Sequence, residues 1–251
     1  MGSTRLPGKV MLEAAGKPLL GHLIDRLQRS VTVDQIIIAT STAQIDQVIV
    51  DFCKSEKICV FRGSNADVLD RYYQAATRYS VDTIVRITSD CPLIDPQLID
   101  EIVPFFLDHA HEYELVTNRH PLTFPDGTDF DVMSFAKLQY VWERATEPHQ
   151  REHVVPYFWE SGMRVFNVED PERRFQQHRW TLDYPEDYRL IRHIIEALQR
   201  NGEFFSSQNI IDFLAHNPEL PQINSKYIPR SGRRTYAQKQ VKTPRRRRYG
   251  G

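Results

Sequence analysis

The chain has 251 residues, of which 41% are hydrophobic, and a formal net charge of −1. That length suits one large domain, or one domain with a small insertion, and the apolar content is enough for a core. No apolar run approaches the roughly 18 residues that span a bilayer, and the polar, glycine-rich start lacks the apolar stretch of a signal peptide, so a cytoplasmic protein is expected.

The near-zero charge conceals an asymmetry. Ten of the 32 basic residues lie from Ser225 onward, with none of the 33 acidic ones, which leaves a body with 22 basic against 33 acidic side chains. A body that acidic is not built to bind nucleic acid nonspecifically. Only the basic end, with its run Arg245-Arg246-Arg247-Arg248, offers such a surface for nucleic acid or anionic lipid. Cys53, Cys59 and Cys91 have no metal-ligand spacing and cannot all pair, so reduced thiols are expected.

The chain opens with Met1-Gly2-Ser3-Thr4-Arg5-Leu6-Pro7-Gly8-Lys9. Glycines let a backbone bend close to a ligand. Main-chain N–H groups, a forked Arg and a point-charge Lys are the parts that hold a polyphosphate. The spacing is not that of the P-loop. The alternative is a flexible basic terminus. Leu19, Leu20, Leu23, Ile24 and Leu27 then recur at helical spacing, which predicts an amphipathic helix over 18–30 with Pro18 at its start.

Residues 35–40 form a short β-branched run, read as a buried parallel strand. A helix is predicted over 41–54, with Ile45, Val48, Ile49 and Phe52 on one face, followed by a strand over 58–62 and a helix over 66–79. The apolar run 84–88 leads into Thr88-Ser89-Asp90-Cys91-Pro92, a strand ending in a carboxylate, where open α/β sheets place their ligands. A helix over 95–109 follows. Strands and helices in alternation predict a parallel sheet covered on both faces.

The middle of the chain is more mixed. Strands are predicted over 115–118, 129–133 and 164–168, a Pro/Gly loop over 120–129, and helices over 134–146 and 152–160. Helices over 185–200 and 208–216 close the predicted elements. From 225 the composition turns to Arg, Lys, Gln and Gly, which predicts a disordered tail.

Six blocks occur in one order: residues 2–9; Phe61-Arg62-Gly63-Ser64 with Asp67-Val68-Leu69-Asp70-Arg71-Tyr72; residues 88–96; Phe124-Pro125-Asp126-Gly127; Arg151-Glu152-His153-Val154; and Arg179-Trp180-Thr181-Leu182-Asp183-Tyr184-Pro185-Glu186-Asp187. In order and spacing the chain resembles the spore-coat polysaccharide biosynthesis F-type proteins. These belong with the cytidylyltransferases that activate acylneuraminate and 3-deoxy-manno-octulosonate. The resemblance covers residues 1–224 and leaves 225–251 as the basic tail. It implies an α/β, Rossmann-like three-layer sandwich of the nucleotide-diphospho-sugar transferase type, with a mostly parallel sheet. In that family an apolar strand precedes the Gly-rich loop. This chain starts within the loop motif, so a sheet lacking that first strand is expected, through a late-assigned start or a truncated product. The excursion around 115–168 is where such a protein would form a homodimer.

The implied reaction is attack of a sugar hydroxyl on the α-phosphorus of a nucleoside triphosphate, CTP by resemblance, with release of pyrophosphate. Such catalysis is mostly positioning and electrostatic stabilisation. Mg²⁺, bound through one or two carboxylates, is the implied cofactor. The resemblance assigns it to Asp90 and Asp183; the alternative for both is a turn or helix-cap aspartate. Asp187 is either a third acidic partner or a cap. Arg5 and Lys9 are assigned to the β- and γ-phosphates, with Gly2 and Ser3 supplying further donors. Arg62 and Asp67 take a nucleotide-binding or loop-ordering role, or form a structural Arg–Asp pair. Thr88 and Ser89 contact base or ribose, or close the turn. On the acceptor side lie Asn118, Asp126, Asp129, Arg151 and His153, with Arg151 suited to fork onto a sugar carboxylate and His153 open to a structural role. The rival readings are a uridylyl-, guanylyl- or glycosyl-transferring relative, and a truncated, non-catalytic paralogue that binds partners through its tail.

Overall fold

The structure, a computed structural model, describes residues 1–170, 177–199 and 202–228. After the opening loop come a small hairpin, β1 (Glu13–Ala14) and β2 (Lys17–Pro18), and helix α1 (Leu19–Leu27). Then follow β3 (Ile37–Ser41), α2 (Gln47–Ser55), β4 (Cys59–Gly63), α3 (Val68–Arg78), β5 (Thr83–Ile87) and α4 (Pro96–His109). The middle region supplies β6 (Leu115–Thr117), β7 (Phe130–Ser134), α5 (Phe135–Arg144), α6 (Pro148–His153), α7 (Pro156–Glu160) and β8 (Val165–Asn167). Helices α8 (Pro185–Leu198) and α9 (Ser207–His216) complete the fold. No helix of the described residues is long and apolar enough to cross a membrane.

The layers follow from strand alternation, which sends successive side chains to opposite faces. On β5, β6 and β7, Val85, Val116 and Val132 pack into the cluster under α1, α2 and α4. Their neighbours Ile84, Leu115 and Met133 pack into the cluster under α3, α5 and α7. A third cluster joins β1, α8 and α9 around Trp180 and Leu182. The helix starts carry their own stops: Asp67, Asp95 and Ser134 each accept a hydrogen bond from a main-chain N–H in the first turn of α3, α4 and α5.

Strands β5, β6 and β8 run in one direction, and β7 lies antiparallel between β5 and β6. β3 and β4 are parallel to each other. The sheet is therefore mostly parallel, with β7 reversed. It is also in two hydrogen-bonded pieces, since among the described residues no strand joins β3 to β5. Ile37, Ile38, Val85 and Ile87 accordingly stay only half-buried. Ile38 and Val60 still share one apolar cluster with Val85 and Ile87, so the two pieces belong to one core.

Four expectations change. The predicted helix over 41–54 starts at 47 after a 3₁₀ turn at Gln44–Asp46, which breaks the 3.6-residue period. Ile45 and Val48 are thereby exposed, and Ile49, Val50 and Cys53 form the buried face. The single helix over 152–160 is two, α6 and α7, separated at Val154, whose φ is 72°. The hairpin of β1 and β2 was not anticipated; its Ala15-Gly16 loop has both φ angles positive, as a type I′ turn needs. Residues 225–228, expected in the tail, pack instead: Tyr227 stacks on Tyr184 at 3.8 Å and Lys226 pairs with Glu186 at 2.8 Å. The rest of the predicted tail and residue 200 lie outside the described residues.

Candidate active site

The opening loop is built, not frayed. Gly8 adopts a left-handed φ of 70°, which glycine takes without strain, and its N–H donates to Met1 O at 3.2 Å. Leu6 N–H donates to Ser3 Oγ at 3.2 Å and Lys9 N–H to Leu6 O at 3.2 Å. Lys9 opens a 3₁₀ turn anchored by buried Val10. That turn aims its side chain at two carboxylates: Nζ donates to Asp90 Oδ2 and to Asp183 Oδ1, both at 3.0 Å. Arg5 pairs with the same Asp183 oxygen at 2.8 Å and lies over the Tyr184 ring. Gly2 is exposed at the edge of this loop.

Asp90 follows β5, as expected of a strand-end carboxylate, and Thr88 Oγ1 donates to its Oδ1 at 2.5 Å. Ser89 is exposed on the same turn. Asp183 does not end a strand. It follows an extended segment that is tied across by Leu182 N–H to Asp90 O at 2.8 Å and by a two-bond bridge to Asp126, Trp180 N–H to Asp126 O at 2.6 Å and Asp126 N–H to His178 O at 3.1 Å. Burial pushes the Asp183 carboxyl up, but Lys9 and Arg5 outweigh it and hold it at about 2. Burial likewise pushes the Lys9 ammonium down, and Asp90 and Asp183 reverse the sign. Arg5, Lys9 and Asp183 are all charged at neutral pH.

Behind Asp183 lies a residue whose role sequence reasoning missed. The buried Arg179 donates to Asp126 Oδ2 at 2.7 Å, to Asp183 Oδ2 at 3.2 Å and to both oxygens of Asp187 at 3.0 and 3.1 Å. Asp187 also accepts the N–H groups of Asp183 and Tyr184, both at 3.0 Å, so it is a cap and brace rather than a third site carboxylate. Asn224 closes the network on Arg179 O and Asp187 Oδ1. The available signal was an Arg in an apolar segment with acids four and eight residues on, since a buried guanidinium must be paired.

The acceptor-side residues divide. Asp126 reaches Asp183 through Arg179. Gly127 packs so closely that an added Cβ would stand 2.3 Å from Thr181 N. Asp129 accepts from Gly127 N–H at 3.2 Å. Asn118 braces this loop from within, donating to Thr128 O and accepting from Phe130 N–H, both at 2.9 Å. Arg151 is elsewhere engaged: it forks onto Asp67 Oδ2 and donates to Trp142 O at 2.7 Å. The expected Arg–Asp pair thus joins Asp67 to Arg151, not to Arg62. Arg62 donates instead to Ser41 O, Gln47 Oε1 and Ala43 O, ordering the loop after β3. His153 ends α6, and burial pushes its imidazole down, which leaves it neutral at pH 7.

The donor set fits a hard divalent cation. Two carboxylate oxygens already converge on one cationic atom, the Lys9 ammonium. Among the described residues no group of three or more His, Cys, Asp or Glu is arranged to hold a metal ion, so phosphate oxygens and waters would complete the shell, which is the usual coordination of Mg²⁺.

A family profile described as cytidylyltransferase matches residues 1–211. The chain is 32% identical over 227 residues to the spore coat polysaccharide biosynthesis protein SpsF of Bacillus subtilis, which covers 87% of this chain and 92% of that one. It is 33% identical over 101 residues to 3-deoxy-manno-octulosonate cytidylyltransferase of Geobacter sulfurreducens, 40% of each chain. The solved structure of a cytidylyltransferase from Leptospira borgpetersenii is similar with a TM-score of 0.83 and 33% identity, covering 88% of this chain and 93% of that one.

Proposed function

The chain belongs to the cytidylyltransferase family, and from that premise we propose that it transfers a cytidylyl group from CTP to a hydroxyl of a sugar acid, with Mg²⁺ as cofactor and pyrophosphate as product. The observation that carries this reading is the convergence of Arg5, Lys9, Asp90 and Asp183 on one point beside the loop. The octulosonate-activating relative supports the acceptor class, and the spore-coat relative supports a role in surface polysaccharide synthesis. We place the reaction in the cytoplasm, where nucleoside triphosphates are made and where Cys53, Cys59 and Cys91 stay free thiols.

The chain's own residues divide the work. Asp90 and Asp183 hold the metal, which when bound supplies charge neutralisation at the phosphate oxygens. Arg5 and Lys9 take the β- and γ-phosphates, with Gly2 and Ser3 lining the loop. Their charge stabilises the pyrophosphate as the bond from the α-phosphorus to its bridging oxygen breaks. The acceptor hydroxyl approaches that phosphorus from the side of Asp126, Gly127 and Asp129. Arg179 fixes that side relative to Asp183, since one guanidinium bonds both Asp126 and Asp183. In-line attack depends on such positioning.

The test is phosphorus NMR of reactions containing Mg²⁺, a panel of ulosonic acids and, separately, CTP, UTP, GTP and ATP. A cytidylylated acceptor with CTP alone is expected. Product with UTP or GTP but not CTP would make the chain a relative of different base preference. That no strand joins β3 to β5 among the described residues favours one second reading, a non-catalytic relative. Folded protein that binds CTP and forms no product with any acceptor would support it.

A further inference from the structure

Lys9 occupies the place where the preceding reading puts a divalent cation, and the inference that follows rests on that reading. Its ammonium touches one oxygen of Asp90 and one of Asp183, both at 3.0 Å, and only 16% of its side chain is exposed. Arg5 adds a second positive charge at the Asp183 oxygen, and Arg179 holds the other Asp183 oxygen. Lys9 and Arg5 thus offset the charges of the two carboxylate oxygens that would receive a cation. A metal arriving alone must displace a charge-assisted bridge, of the strong class of hydrogen bond.

The bridge is built to let go. The left-handed Gly8, the 3₁₀ turn and buried Val10 fix the Lys9 backbone. The charge itself sits on a flexible four-carbon stem with three rotatable donors. A triphosphate offers that ammonium several anionic oxygens in place of two, and Arg5, largely exposed, can follow it. Once Lys9 and Arg5 turn to phosphate, Asp90 Oδ2 and Asp183 Oδ1 lose the cations they shared and face one point, while Arg179 keeps its hold on the other Asp183 oxygen.

We propose that Lys9 is an internal counter-cation that keeps the Asp90–Asp183 pair closed to divalent metal until a nucleoside triphosphate draws its ammonium away. Metal and nucleotide sites are then positively coupled through one side chain, and the coupling is reciprocal. The metal enters with the triphosphate and not before it. Until then the pair is also protected from other divalent ions.

The test uses the full chain without nucleotide and Mn²⁺ as the probe, with free Mn²⁺ read by electron paramagnetic resonance. Lys9→Met removes the ammonium and keeps the stem. It is expected to bind Mn²⁺ at least about tenfold more tightly than the wild type, within the usual range of coupling between sites. Mn²⁺ should also raise the melting temperature of Lys9→Met more than that of the wild type. Lys17→Met, which breaks a pair with Asp25 away from the site, should leave Mn²⁺ affinity as it was. Adding Asp90→Asn to Lys9→Met should abolish the gain. Equal Mn²⁺ affinity in wild type and Lys9→Met, lost in both on adding Asp90→Asn, would overturn the gate and leave the metal reading standing. No Mn²⁺ binding by folded Lys9→Met without nucleotide would overturn the gate, and none with CTP added would overturn the metal reading as well.

Discussion

Arg179 and Asp183 stand 3.2 Å apart, and their contact turns one oxygen of the aspartate inward while the other faces Lys9 and Arg5. The same guanidinium grips Asp126 and Asp187, so one buried cation sets the spacing between the two sides of the site. Arg179→Gln leaves three carboxylates without it. Breaking a buried pair costs about 3–5 kcal/mol, so urea denaturation of Arg179→Gln should show a loss of that order. Arg179→Lys should recover part of the stability and little of the catalytic rate, because a point charge cannot keep the fork geometry.

Gly127 is irreplaceable for two independent reasons, its φ of 106° and the 2.3 Å approach of a Cβ to Thr181 N. Gly127→Ala should destabilise by at least about 1–3 kcal/mol from backbone strain alone, read by thermal melting. Gly2→Ala meets nothing within 4 Å and should melt as the wild type does.

Asp183 carries the pH dependence of this corner. Its carboxyl sits at about 2 in the folded chain against an ordinary 3.8. A depressed folded value stabilises above the unfolded value, and that stabilisation disappears as pH falls from about 5 toward 2. The shift corresponds to about 2 kcal/mol at neutral pH. Lys9→Met removes part of it, so the stability lost between pH 7 and pH 3 in urea titrations should be smaller in that variant. An equal loss would show that Lys9 does not hold the Asp183 carboxyl down.

Arg151 braces α6 against the start of α3 through Asp67 and against α5 through Trp142 O. Arg151→Ala should therefore lower stability by about 1–3 kcal/mol and leave the acceptor KM within about twofold. A rise in KM of tenfold or more at unchanged stability would return Arg151 to the sugar carboxylate.

The chain announces its local elements and hides its long-range pairings. The period of Leu20, Leu23, Ile24 and Leu27 gives α1, and the apolar run into Asp90 gives β5 and its carboxylate. Arg151 could not be placed, because its partner Asp67 is 84 residues away and nothing local distinguishes it from an Arg that binds substrate. Arg62 is similar, since its donors go to main-chain oxygens that only the folded loop brings near. The reversal of β7 lies outside local pattern, because a buried strand reads alike in both directions. Asp90 and Asp183 lie far apart in the chain, and resemblance, not spacing, joined them in advance. The geometry supplies the physical reason, a Leu182 N–H bonded to Asp90 O.

The most direct measurement is Mg²⁺-dependent pyrophosphate release from CTP with a ulosonic acid acceptor, run in parallel for the wild type, Asp90→Asn and Asp183→Asn. Release by the wild type, at least about a hundredfold lower in either variant while both remain folded, is the predicted result, in line with the loss of a charge that acts on the transition state. Undiminished release by folded Asp90→Asn and Asp183→Asn would contradict the assignment of the site to this carboxylate pair.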